Sequence, residues 1–267
     1  MPAPCINRLI FTPTFGFADQ DGFDADAETY IAAVETSDGQ DLEPGVREAI
    51  NDFVVGCKAD GIWAALKASC IMAGARTLTG AMTPLVGPAP TSFNFVDGDY
   101  NRKTGLVGDG LTRYLNSNRN NNADPQDNRH VCVAANLPDN GSKVLIGVRA
   151  VGTNSGGFEI RHQGTSYYVP IANTSVIVDL PSTGSLNFLG YSRSSSAEYI
   201  SRRNQTNTTV SQLSGSAVAI DVMVFTRTDL AIKSNSRIAF YSIGESLDLA
   251  KLDARVTALI NAYGAIL

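Results

Sequence analysis

The chain has 267 residues, 43% of them hydrophobic and only 18% charged, so it can bury a large core while Asn, Ser, Thr and Gln supply most of the polar surface. Lys plus Arg number 21 against 26 Asp plus Glu, and the resulting charge of −5 argues against a protein built to neutralise nucleic-acid phosphates. No apolar run approaches the roughly 18 residues of a membrane-spanning helix, which excludes insertion through one.

Residues 1–23 place Pro2, Pro4, Pro13, Gly16 and Gly22 among large apolar side chains, which predicts an extended arm too apolar to float free. Phe11, Phe15 and Phe17 are its candidate anchors, on this chain or on a neighbouring subunit. The segment lacks the basic, apolar and small-residue order of a secretory signal. Cys5, Cys57, Cys70 and Cys132 match neither zinc-clip nor CxxC spacing and read as buried reduced thiols, as expected of assembly in a cytoplasm.

Residues 24–90 read as a small helical unit and linker. Tyr30, Ile31 and Val34 share one face of a short helix, and Pro44 suits the first turn of the next. Val46, Ile50, Phe53, Val54 and Cys57 form a clear helical stripe. Ile62, Trp63, Leu66, Cys70 and Ala73 repeat that spacing, predicting a third helix with Asp60 as its N-cap. The Gly- and Pro-rich stretch from Gly80 to Pro90 reads as a boundary.

Beyond it, residues 91–245 alternate in short runs between turn residues. Strands are predicted around residues 130–135, 158–163, 175–180, 185–192, 197–203, 219–226 and 236–243, the spacing of an antiparallel sandwich without intervening helices. Residues 246–267 return to a helical rhythm. Leu249, Leu252, Val256, Leu259 and Tyr263 form a 3-4-3-4 stripe, too short for an independent coiled coil but a candidate oligomerisation seam. The fold class is therefore mainly β with α: an antiparallel sandwich, a small N-terminal helical unit and a C-terminal helix.

Catalytic signatures are missing from this pattern. His130 and His162 sit inside predicted strands, and the serines occur in loops without a nucleophile-elbow context. Glu159, Asp179, Glu198 and Asp221 alternate with apolar neighbours and read as acids on solvated faces, not as a glycosidase pair. Asp19, Asp21, Asp24, Asp26 and Glu28 lack the glycine and terminal glutamate of a calcium loop; helix capping accounts for the last three. Asp97, Asp99 and Asp109 beside Gly98 and Gly110 fit turn chemistry as well as cation ligation, and no phosphate loop is present. No catalytic, metal or cofactor-binding residues are assigned. Tyr167, Tyr168 and Tyr191, with the amide run Asn116–Asn122, are candidates for contact with glycan, tyrosines that bridge core and solvent being the simpler reading.

Three segments carry a resemblance: DGQDLEPGVREAINDFVVGCKADGIWAALKASCIMAGARTLTGAMTPLVG, FVDGDYNRKTGLVGDGLTRYLNSNRNNN and FYSIGESLDLAKLDARVTALINAYG. From about residue 38 to the end, the chain resembles a recurring type of tailed-bacteriophage virion structural protein. Its β portion is similar to the concanavalin A-like (laminin G-like) jelly roll. The resemblance implies a virion component assembled in the host cytoplasm, without enzymatic activity and without a cofactor. It further implies a tail-fibre, receptor-binding or tail-associated part displaying a lectin-like sandwich, with capsid decoration or a head fibre as the alternative and a glycan-degrading enzyme as a remoter one. The expected partners are other virion proteins, further copies in a homo-oligomer such as a trimer, and host-surface glycan, with no nucleic acid and no membrane insertion.

Overall fold

A computed structural model describes residues 22–136, 142–149, 157–163, 166–168, 187–203 and 205–267, with only the backbone course for residues 142, 162, 163 and 166–168. The anchors Phe11, Phe15 and Phe17, Cys5 and the strand expected at 175–180 lie outside the described residues.

In chain order the elements begin with helices α1 (Ala25–Asp38) and α2 (Pro44–Ala59), strand β1 (Leu66–Ile71), the single turn α3 (Leu78–Ala81), and strands β2 (Pro84–Val86), β3 (Thr91–Phe93), β4 (Tyr100–Asn101), β5 (Gly105–Val107) and β6 (Tyr114–Asn120). There follow β7 (Arg129–Asn136), β8 (Ser142–Val148), β9 (Phe158–Gln163), β10 (Ser166–Tyr168), β11 (Asn187–Arg193), β12 (Glu198–Arg203), β13 (Thr206–Ser211), β14 (Asp221–Val224), β15 (Arg237–Gly244) and helix α4 (Leu249–Ile266). Among the described residues one sheet runs β13-β12-β11-β7-β15-β1-β2, with β5 and β4 branching from β15, and a second runs β10-β9-β8-β14-β6-β3. Neighbouring strands pair antiparallel in both sheets.

The two sheets form a sandwich, and the helices cover the outer face of the first. One core lies between helices and sheet, where Ile31, Val46, Phe53, Val54, Leu252, Val256 and Tyr263 meet Leu66, Ile71, Cys132, Ala134, Phe188 and Phe240. The other lies between the sheets, where Ala68, Cys70, Val131, Val133, Leu189, Tyr191, Tyr241 and Ile243 meet Leu145, Ile146, Ile160, Val222 and Val224. The first sheet is thus buried on both faces, which is why β7 reads HVCVAA with no polar alternation.

The third expected helix is instead a strand. After a short 3-10 turn at Trp63–Ala65, residues Leu66–Ile71 enter the first sheet, pairing with β15 on one side and β2 on the other. Leu66 and Ile71 face the helices while Ala68, Cys70 and Met72 face the other sheet. A strand buried on both faces is apolar throughout, so helical spacing could be picked out of it by coincidence. Asp60 accordingly closes α2 at its C-terminus rather than opening a new helix. The segment 24–90 therefore contributes β1 and β2 to the sandwich, and Gly80 to Pro90 runs through the structure between α3 and β3.

Helix α4 takes the place of the missing third helix. Its residues Leu249, Leu252, Val256, Leu259 and Tyr263 are all buried in this chain's own helix–sheet core, so the stripe read as an oligomer seam is already covered without a second copy. Polar ties fix its position: Arg255 donates to Asp60 at 2.7 Å, Lys251 to the Asp60 carbonyl at 3.0 Å, and Arg202 of β12 to Asp253 at 2.8 Å. Gly190 makes the approach possible, because a Cβ there would lie 2.8 Å from Leu249. The α1 end is secured as the acidic cluster suggested: Asp24 accepts from the Asp26 N–H at 2.9 Å, and Lys58 bridges Asp24 and Asp26.

Candidate functional site: an arginine cleft at the sandwich mouth

The polar residues singled out from sequence are engaged in structural roles. His130 is buried, with Nε2 at 2.9 Å from Ser242 Oγ and Nδ1 against the Glu245 carbonyl; burial pulls it down to about 4, keeping it neutral at ordinary pH. His162 lies in β9. Glu159 is not on a solvated face: it is buried and ion-paired with Arg227 at 2.8 Å and Arg161 at 3.1 Å. Asp221 is partly buried and accepts from Asn116, whereas Glu198 is exposed as expected. Asp179 lies outside the described residues.

The turn acids behave likewise. Asp109 accepts from the N–H groups of Leu111, Thr112 and Arg113, which holds its carboxyl well below the usual range despite partial desolvation. Asp99 accepts from the Val96 N–H and pairs with Arg113 at 2.9 Å. Cys57, Cys70 and Cys132 are buried free thiols, and burial pushes each of them up.

Of the tyrosines, Tyr167 and Tyr168 lie in β10, and Tyr191 is not on the surface. Its ring packs between the sheets, 5.0 Å from Tyr199 and 6.5 Å from Phe158 between centroids. Most of the amide run belongs to strand β6 rather than to a loop, and the exposed Asn118 donates to Ala89 O and Thr91 Oγ1.

What the structure does assemble is a cleft where the space between the sheets opens to solvent. It is lined by Gln126, Arg129, Phe158, Tyr191, Arg193 and Ser214, together with Gly157 and Gly215. Arg129 begins β7 and Arg193 ends β11, and the antiparallel register sets them directly opposite each other. Because Val131 and Val133 face the intersheet core, the same alternation carries Arg129 to its rim, and Leu189 and Tyr191 do so for Arg193.

Like charges opposed across a ladder are unfavourable, so each guanidinium needs its own compensation. Arg193 is fully buried and has it: Nε donates to the Tyr191 hydroxyl, Nη1 to the carbonyls of Ser195 and Glu198, Nη2 to that of Gln212, and the Tyr199 ring lies 5.3 Å away. Arg129 does not. It is 8% exposed, its Nη1 reaches Asn121 Oδ1 at 3.3 Å, and its Nε and Nη2 are buried without a partner. The nearby Asp124 and Asp127 act on it only through their field; Asp124 is taken by Arg119. Burial accordingly pulls the Arg129 guanidinium below its usual value. Gln126 donates to Ser214 Oγ at 2.7 Å across the rim, and Gly157 is required where a Cβ would meet the Val148 carbonyl at 2.4 Å. The sequence signal for this site is an arginine opening an otherwise apolar strand, but its opposite number is visible only once the register is known.

Among the described residues, no helix is long and apolar enough to cross a membrane. No family model matches the chain, and no curated protein matches it. Solved structures resemble it at low identity. The binding domain of botulinum neurotoxin serotype D is 11% identical with a TM-score of 0.48, covering 73% of this chain and 51% of that one. A Trypanosoma rangeli sialidase is 8% identical with a TM-score of 0.47, covering 74% and 33%. The CBM40 of a Ruminococcus gnavus IT-sialidase, solved with alpha2,3 sialyllactose bound, is 12% identical with a TM-score of 0.40, covering 48% and 82%. This chain thus spans about half of the toxin binding domain and a third of the trypanosomal enzyme.

Proposed function

We propose that this chain is a non-enzymatic, lectin-like module of a tailed-phage particle that binds host-surface glycan at the mouth of its sandwich. The observation that carries the reading is the Arg129–Arg193 cleft: two buried guanidiniums, one with donors that lack a partner among the described residues, and no acid among its described lining residues. A guanidinium stays protonated, so such a cleft holds an anionic group and shuttles no proton. The placement on a particle is supported by the resemblance of residues 38 to the end to tailed-phage virion proteins. A tail-fibre or tail-associated position suits a module whose helices back one sheet and whose sandwich mouth is open. Because the α4 stripe is internal, attachment would fall to the apolar arm, with Phe11, Phe15 and Phe17 as anchors.

A glycan array probed with the intact chain, beside immunogold labelling of purified particles, tests this. Expected are retention of glycans bearing an anionic group and label at one location on the particle. A folded chain that retains no glycan overturns the binding role, unlabelled particles overturn the virion role, and catalytic release of reducing sugar overturns the absence of enzymatic activity.

A further inference from the structure

The sheet edges differ in how they are closed, and one is left open: we infer that β13 is an assembly edge, at which two copies of this chain join antiparallel about a two-fold axis into one continuous sheet. The contact is independent of the arginine cleft.

Among the described residues the two sheets end at β2, β13, β3 and β10. An exposed edge is a template for a foreign strand, and proteins blunt it with shortness, proline, charge or a bulge. Strands β2 and β3 have three residues each, with Pro84 opening the first and Pro90 just ahead of the second, and β10 has three. β13 carries none of these devices. It has six residues, TNTTVS, without charge or proline, and its register with β12 runs unbroken from Thr206 to Ser211. Residues 206–209 are all exposed although they alternate between the two faces of the sheet, so both faces of the edge have room for an incoming strand.

The ladder dictates the partner. The Gln212 N–H donates at 2.8 Å to the carbonyl of Ala197, which stands opposite it one step past the Glu198–Ser211 pair. Opposed residues alternate between exchanging hydrogen bonds and exchanging none, so Thr206, Thr208 and Val210 bond β12 while Asn207, Thr209 and Ser211 turn their N–H and C=O groups outward. A second β13 that sets Thr209 opposite Thr209 also sets Asn207 opposite Ser211, and every one of those outward groups is then used. In the same register Val210 meets Thr208 on one face, so the sheet continues across the axis, and the contact is self-complementary as a two-fold requires. Charge sets the direction. β12 bears Glu198 at the Ser211 end and Arg202 and Arg203 at the Thr206 end, so an antiparallel copy brings acidic end to basic end, where a parallel one would oppose like charges.

Sedimentation velocity of the intact chain tests this. A contact made mainly of main-chain hydrogen bonds is modest, so a dimer should build up between about 1 µM and about 300 µM protein. Thr209 is exposed and sits at the axis, so Thr209→Lys and Thr209→Asp each set like charges face to face. Each variant alone should dimerise about tenfold more weakly or worse with its urea midpoint unchanged, and an equimolar mixture of the two should dimerise again as a heteropair. Recovery in the mixture cannot come from a misfolded chain. A chain that stays monomeric throughout, an oligomer other than a dimer, an oligomer indifferent to both substitutions, or a mixture that pairs no better than either variant alone overturns the inference.

Discussion

The ion pair between Arg202 and Asp253 should couple the β-sandwich to helix α4, and replacing Asp253 by Asn is the sharpest way to expose it. Both side chains are almost fully buried. Asp253 Oδ2 accepts from Arg202 Nε at 2.8 Å and from the Gln205 N–H at 3.2 Å, and Oδ1 accepts from Thr257 at 3.1 Å. Three donors thus converge on one carboxylate. An amide has only one accepting atom, so Asp253→Asn turns an N–H₂ toward a donor and leaves Arg202 charged, with Asn207 as its described acceptor. Breaking a buried pair from one side costs about 3–5 kcal/mol. Removing both charges with Arg202→Met and Asp253→Leu takes away the isolated charge, leaving a loss of about 1–2 kcal/mol from the Gln205 N–H and Thr257. The cycle of Arg202→Met, Asp253→Leu and the variant carrying both, in which each single change strands one buried charge, should therefore show a coupling of at least about 2 kcal/mol. Urea unfolding can be followed through Trp63, the single tryptophan, which sits in the turn between α2 and β1. If the double variant loses as much as the two single variants summed, the pair is not what ties sandwich to helix, and the reasoning fails.

Further expectations follow from the same structure. His130 is held near 4 against an ordinary 6.5, so the unfolded chain binds the extra proton between those values; stability is full above about 6.5 and falls by on the order of 3 kcal/mol as pH drops through about 4, a slope that pH-resolved urea melts should lose in His130→Gln. Glu43, hydrogen-bonded by Arg102 and held down to about 2, contributes stability that is present above about 4.5 and lost as pH falls toward 2; Glu43→Gln should flatten that acid limb. Gly105 has a φ of +97°, and a Cβ there would sit 2.2 Å from the Ile238 carbonyl, so Gly105→Ala should destabilise by at least about 2 kcal/mol in thermal or urea melts. Leu252→Asp with Leu259→Asp should unfold the chain by circular dichroism; a folded monomer would return the α4 stripe to the role of an oligomer seam.

Where one face of an element meets solvent, the sequence was a faithful guide. Helix α2 shows its stripe because Val55 and Lys58 face outward while Val46, Ile50, Phe53 and Val54 are buried in the core shared by helices and sheet. The α4 stripe was equally plain, but its partner was not, since Leu252 and Val256 would look the same packed on α2 or on another copy. β1 was hidden by the reverse condition: with helices on one side and a sheet on the other, LKASCI carries little alternation to announce a strand. Tyr191 shows the limit of local pattern: a strand tyrosine can point to core or rim, and pairing with β7 puts this one between the sheets, in the lining of the arginine cleft. The same pairing creates the arginine cleft, joining residues 129 and 193 across 64 positions of sequence that no local pattern spans.

The position of β15 between β7 and β1 has a temporal consequence. Residues 66–71 are synthesised well before their principal partner, residues 237–244, which lie more than 160 positions later in the sequence. The central sheet cannot zip until residues 237–244 have been made, and such nonlocal pairing is slow. Until then β1 offers the apolar edge that β15 will take to any other nascent copy. Chains cut short before residue 237 should therefore clump rather than fold in part, because the central strand of the first sheet is then missing.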